Sequence, residues 1–192
     1  GTKAGLKNAA VVQGYLATTM ATLDSAATLL SRIQELAILG ANQTNTTADA
    51  SAIDAEAEAL ADELNRLLTT AKYKGTSLFN TTTSAGFGSY LAIDGRSGAM
   101  QFGVYNITDN TAYMAAGSGF YSSNALVRKP STGAGSGTST VTSRILAVQA
   151  LINTSRVQAG AQYAALESSV DYLTSLTAQY ELGFNTVNDV NF

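Results

Sequence analysis

Apolar or small side chains recur along the start of the chain at Ala9, Val12, Leu16, Thr19, Leu23, Ala26, Leu30, Ile33 and Ala37. The steps alternate strictly between three and four, the spacing that keeps one stripe of a helix turned toward a partner. The pattern predicts a helix that runs to Gly40, with that glycine at the C′ position and the Asn/Thr tract after it as a loop. A second stripe follows at Ile53, Ala57, Leu60, Leu64, Leu67 and Ala71, and this helix is expected to end before Gly75. Asp49 or Ser51 can cap its N-terminus, which would place Asp54 and Glu56 in the favourable first turn. Two helices joined by a short polar loop fold back as an antiparallel hairpin.

The same spacing returns from about Ser139 and runs nearly to the end. Ile145, Val148, Ile152, Ser155 and Ala159 lead by a four-residue step to Tyr163, and Leu166, Val170, Leu173, Thr177, Tyr180, Phe184 and Val187 follow. The extra step reads as a coiled-coil stutter. At ~1.5 Å per residue the segment makes a rod of about 70 Å, too long to hide its stripe alone. It is therefore expected to lie along the first hairpin. Leu23, Leu30, Ile33, Leu60, Leu64, Leu67, Ile152, Leu166, Val170, Leu173 and Tyr180 are the larger side chains assigned to the seam. The fold class is mainly α: an elongated antiparallel bundle built from residues 1–80 and 139–192, with residues 81–138 as a small insert.

Within the insert the period changes. Tyr90–Ile93 and Met100–Val104 flank "DGRSG", which predicts a β-hairpin with a glycine-containing turn. "STGAGSGTST", Ser131 to Thr140, reads as a flexible surface loop.

Composition narrows the function. The 192 residues carry a net charge of −3, so there is no basic stripe to displace counterions from nucleic acid. No apolar run reaches the roughly 18 residues that cross a bilayer. Cys and His are absent, which removes disulfides, thiolate chemistry and the commonest general base. With only 13% charged residues and abundant Ala, Ser and Thr, the chain suits packing against other helices better than catalysis. The start at Gly1 lacks an initiator Met and signal-peptide character, and reads as a fragment.

Several ordered segments resemble bacterial flagellins. "LLSRIQELAILGANQTN" (Leu29 to Asn45) is similar to L-Q-R-V-R-E-L-A-V-Q-x-A-N-x-T-N. "SAIDAEAEALADELNRLLTTAKYKGTSLF" (Ser51 to Phe79) tracks I-Q-x-E-I…L-x-E-I-D-R…T-x-F-N-G-x-x-L. "SRVQAGAQYAALESSVDYL" (Ser155 to Leu173) resembles I-R-x-x-L-G-A-x-Q-N-R-L-x-x-x-I-x-x-L, and the closing "FNTVNDVNF" echoes R-S-R-I-x-D-x-D-F. The resemblance covers roughly Lys7 to Phe79 and Leu151 to Phe192. It implies the helical shell domain of a secreted, extracellular filament subunit, with almost no outer domain and without the terminal segments of the inner tube. Such a piece is not expected to build a normal filament by itself.

The resemblance further implies no cofactor. It implies that the principal partner is another copy of the chain, with an export chaperone, cap proteins and a host Toll-like receptor as other partners. A subunit exported unfolded through a narrow channel gains from having no disulfide to shuffle. The family's receptor-contacting Arg, Leu and downstream Glu fall on Arg32, Leu36 and Glu56. Gln34 stands where the family has a second Arg, which removes a guanidinium fork. Arg32, Gln34, Glu35, Leu36 and Glu56 are thus candidates for subunit or receptor contact, and the plainer alternative is a solvated helix face.

Other motifs carry less. The carboxylates of "DAEAEALADELNR" (Asp54 to Arg66) lack the alternation and glycine turn of a Ca²⁺ loop, and read as a solvated face. "GAGSG" (Gly133 to Gly137) has no G-K-[ST] ending and reads as linker rather than phosphate cradle. Ser131, Thr132, Ser136 and Thr138 beside it are candidates for O-linked sugars, which the family often carries on exposed loops. N-glycosylation-type sequons at Asn42, Asn45, Asn80, Asn106 and Asn153 arise readily by chance in so Thr-rich a chain. Tyr163 and Tyr180 fall on the seam and Tyr172 beside it, where packing explains them. A hook–filament junction protein, which shares the helical motifs, is the nearest alternative. "KYKGTSLFN" (Lys72 to Asn80) favours the filament subunit. An adhesin or glycan-binding module on a helical stalk is a third reading, and it would need an aromatic-lined groove between Gly86 and Tyr121.

Overall fold

The computed structural model describes residues 2–42, 44–81, 90–93, 99–110, 113 and 136–190. Three long helices dominate: α1 (Thr2–Gly40), α2 (Thr47–Thr70) and α3 (Ser136–Val190). The 55 residues of α3 span about 80 Å at 1.5 Å per residue. Both α2 and α3 pack along α1. Asp24 of α1 faces Arg156 of α3, and Gln34 faces Gln149, so the two run antiparallel.

All nine stripe positions of α1, from Ala9 to Ala37, are buried. Leu16, Leu23, Leu30 and Ile33 are fully enclosed, and each buried Leu-sized side chain contributes about 1.5–3 kcal/mol. Thr19 tolerates this position because its hydroxyl donates to the Tyr15 carbonyl at 2.8 Å, leaving no unsatisfied donor. On α3, Ile145, Val148, Ile152, Ser155, Ala159, Leu166 and Leu173 face the core.

Two stripes differ from expectation. On α2 the buried line is Ala50, Asp54, Ala57, Ala61, Leu64 and Leu68, while Ile53, Leu60, Leu67 and Ala71 are only partly covered. The helix is rotated by roughly 60°, a little over half a residue at 100° each, because a second layer, from the insert, covers its other side. Tyr113 donates to Asn65 Oδ1 at 2.9 Å, and the 3-10 turn Ile107–Asp109 packs on α2. On α3 the seam passes through Gln162 where Tyr163 was expected, so the extra step falls later, between Leu166 and Val170, both of which touch the core. Tyr180 is a correction: it is 53% exposed and does not join the buried stripe of α3.

The termini of the first hairpin also depart from the sequence reading. Gly40 is the last helical residue, and it is absent from the left-handed residues Lys74, Gly75 and Gly103. The chain leaves α1 through a turn in which the Asn45 side chain donates to the Leu39 carbonyl at 2.8 Å. Thr46, not Asp49 or Ser51, caps α2. Its hydroxyl accepts from Asp49 N at 3.1 Å while the Asp49 carboxylate accepts from Thr46 N at 3.0 Å. This reciprocal pair is a capping box, and it puts Asp49 in the first turn in place of Asp54, which is buried.

After α2, β1 (Lys72–Tyr73) and β2 (Thr76–Ser77) form a small hairpin that the helical reading had not predicted. Its turn places Lys74 at φ +50° and Gly75 at φ +79°, as a two-residue type I′ turn demands. The Tyr73 ring lies against Gly14, where an added Cβ would land on the phenol hydroxyl. β3 (Phe79–Thr81) pairs in parallel with β6 (Val104–Tyr105). β4 (Tyr90–Ile93) pairs antiparallel with β5 (Ala99–Phe102), the expected hairpin, whose turn at 94–98 lies outside the described residues. The predicted strand Met100–Val104 is broken at Gly103, whose φ of +131° sends the two halves to different partners.

Phe79, Val104, Ile107 and Tyr113 join the helical seams in one core. Helix α3 starts at Ser136, so the C-terminal half of the expected loop, including Ser136 and Thr138, is helical. Extension there costs only one interior glycine, Gly137, against a hydrogen bond gained per residue. Ser131 and Thr132 lie outside the described residues.

Candidate assembly surface

The stretch that mixes Arg, Gln and Glu with aliphatics lies at the α1–α2 end of the rod. Helical spacing turns Arg32 and Glu35 outward on the same side, while Ile33, Leu36 and Ala37 go into the core. Arg32 donates to Glu35 Oε2 at 3.1 Å and to Glu56 Oε1 at 2.9 Å, so one guanidinium ties α1 to α2. The Glu56 carboxylate, with Glu35 behind it, holds the Arg32 pKa above its ordinary value. These side chains remain about half exposed, which keeps the net energy of the pairs small. What they supply is a fixed pattern of charge on the surface.

Gln34 points the other way and accepts from Gln149 Nε2 at 3.0 Å, bridging α1 to α3. It is a half-buried internal contact. Leu36 is 1% exposed, so the contact assigned to it is unavailable on the folded surface. Among the candidate contact residues, the structure brings Arg32, Glu35 and Glu56 together and draws Gln34 and Leu36 inward.

Spacing on a single helix could not reveal partners on another helix, and so the Asp24–Arg156 pair was missed. Arg156 donates to Asp24 Oδ1 at 2.6 Å across α1 and α3. The pair closes one side of an open groove of about 430 Å³ lined also by Met20, Asn153 and Val157. Val157 on its rim is 72% exposed. Ile38, Leu39 and Leu146 are exposed nearer the α1–α2 turn, and Val11, Tyr172 and Leu182 toward the other end. On α2, Arg66 pairs with Glu63 and depresses its carboxyl pKa. Among the described residues, no group of three His, Cys, Asp or Glu side chains could hold a metal ion, and no helix is long and apolar enough to cross a membrane.

Comparison with known proteins shows what this rod resembles. Residues 1–84 match the family described as the bacterial flagellin N-terminal helical region. The N-terminal part of this chain is thus similar to a flagellin helical region. Flagellin D of Vibrio anguillarum is 32% identical over 108 residues, which cover 56% of this chain and 28% of that protein. Polar flagellin C of Vibrio parahaemolyticus is 40% identical over 58 residues, 30% of this chain and 15% of that protein. The chain therefore spans only a minor part of the length of these curated relatives. The crystal structure of Bacillus cereus flagellin superposes with a TM-score of 0.69 at 20% identity, covering 87% of this chain and 88% of that one. The architecture of long antiparallel helices with a small β insert is thus flagellin-like.

Proposed function

We propose that this chain is a structural, non-enzymatic subunit of the bacterial flagellar filament, located outside the cell and partnered chiefly by further copies of itself. The observation that carries the reading is the flagellin helical region over residues 1–84, continued by a third long helix packed antiparallel along it. Residues 1–80 and 139–192 act together as the rod, and residues 81–138 ride on it as the insert. The Arg32–Glu35–Glu56 cluster and the exposed apolar side chains along α1 and α3 are the surfaces that meet neighbouring subunits. An export chaperone and cap proteins complete the set of partners. A receptor that reads this surface would meet Arg32 and Glu56, with Leu36 out of reach.

Immunogold labelling of sheared flagella, with antibody raised against residues 1–192, tests the reading. Label along the whole filament is expected. Label confined to the hook–filament junction would reassign the chain to a junction protein. Label on the cell body alone would favour an adhesin.

A further inference from the structure

A glutamine at a seam position of a long helix is chemically out of place. Gln162 is 7% exposed, between Ala159 and Leu166 on the buried line of α3. A side-chain amide held there must find partners, since an unsatisfied one is strongly unfavourable. It finds both on a single residue. Gly103 N donates to Gln162 Oε1 at 2.9 Å, and Gln162 Nε2 donates to Gly103 O at 2.9 Å. The amide closes on the backbone as a neighbouring strand would.

Gly103 is the residue that needs such a partner. It lies between β5 and β6, which pair with different strands, and it is buried. Its φ of +131° is open only to glycine. Gln162 supplies a partner to both the N–H and the C=O of Gly103 in that enclosed place. Next to it, Phe102 meets Tyr15 of α1 edge-on, with ring centroids 5.2 Å apart and planes at 78°. The Tyr15 hydroxyl in turn donates to the Leu78 carbonyl at 2.6 Å. Contacts therefore run from α3 through residues 103 and 102 to α1 and on to the start of β3.

We propose that Gln162 is a latch that holds the backbone between β5 and β6 on α3 in one register, and that opening it frees that segment while the helical seam stays closed. Sliding α3 by one residue turns that side chain by about 100° away from Gly103, so the pair forms in a single alignment. An apolar residue would fill the same slot without choosing a register. Leu23, Leu30, Ile33 and Ile152 of the seam make neither of the two hydrogen bonds of the latch.

Native-state hydrogen exchange read by NMR on the intact chain tests this. In Gln162→Leu, which keeps the bulk and removes both bonds, the Gly103 amide should exchange at least about tenfold faster, while the amides of α1 between Leu23 and Ile33 keep their protection. Gln162→Glu keeps the acceptor of the Gly103 N–H but sets a carboxylate against the Gly103 carbonyl, and that repulsion should open the latch and accelerate the same amide. Gln149→Leu, which removes the half-buried bond to Gln34, should leave Gly103 unchanged. Gly103 exchange as slow in both Gln162 variants as in the unmodified chain would overturn the proposal. So would acceleration that is equal across Gly103 and α1.

Discussion

The middle of the rod and the far end of α3 carry the same kind of sequence and meet opposite fates. From Ile145 to Leu166 the stripe of α3 is buried against α1. Past Leu173 the stripe continues in three- and four-residue steps, yet Tyr180 is exposed, as are Tyr172 and Leu182 nearby. The chemistry of the side chains does not separate the two regions. The difference is that α1 packs along the first region, whereas the side chains of the second stand exposed. A heptad repeat states what a helix can bury, and a partner must still be there to bury it.

The comparison can be broken most forcefully in the middle. Leu64 is fully enclosed, so Leu64→Asp buries an unpaired carboxylate and should cost more than about 4 kcal/mol, collapsing the bundle. Retained helicity by circular dichroism, with an unchanged melting curve, would refute the assignment of the seam. Leu23→Ala, also at 0% exposure, should cost about 2–5 kcal/mol in denaturant unfolding. Tyr180→Ala should move stability by less than about 0.5 kcal/mol. If Tyr180 proved as costly as Leu23, something would have to cover the end of α3 in solution.

Smaller effects sharpen the contrast between packing and local geometry. Lys74 occupies the first left-handed position of a type I′ turn, where the flagellin pattern has Asn. Lys74→Asn relieves that backbone at the loss of a cation–π contact to Tyr73 at 5.7 Å, for a net gain of roughly 0.5 kcal/mol. A rise in Tm would register it. The capping box holds the Asp49 carboxyl pKa below its ordinary value, through the Thr46 backbone N–H first and its hydroxyl second. A depressed folded pKa means stability that is present above the unfolded value of about 3.9 and lost as pH falls through the folded one. Unfolding measured from pH 6 downward should therefore show a shallower acid loss in Asp49→Asn than in the unmodified chain.

Much of the helical architecture was legible because burial along α1 repeats at the period of the helix itself. What stayed hidden in each case depended on a second element. The α2 stripe is rotated because Tyr113 and the 3-10 turn press on one side of it. Leu36 looked like a surface residue from its neighbours Arg32 and Glu35, yet it is wedged into the core. The Thr46 cap was readable, since Thr-x-x-Asp spells a capping box, but the more obvious acidic residue drew the assignment. Gln162 carried no signal, because the flagellin pattern leaves that position open and its partner is a backbone 59 residues away.

The sequence by itself determined the three helices, the seam of α1 and the resemblance to flagellins. All of these rest on local periodicity and ordered motifs, which need only one strand of information. Tertiary structure alone decided which stripe positions are covered, which way α2 turns, and how a glutamine amide finds a glycine backbone. Those outcomes depend on the distance and orientation of groups far apart in the chain, and no window of neighbouring residues contains them.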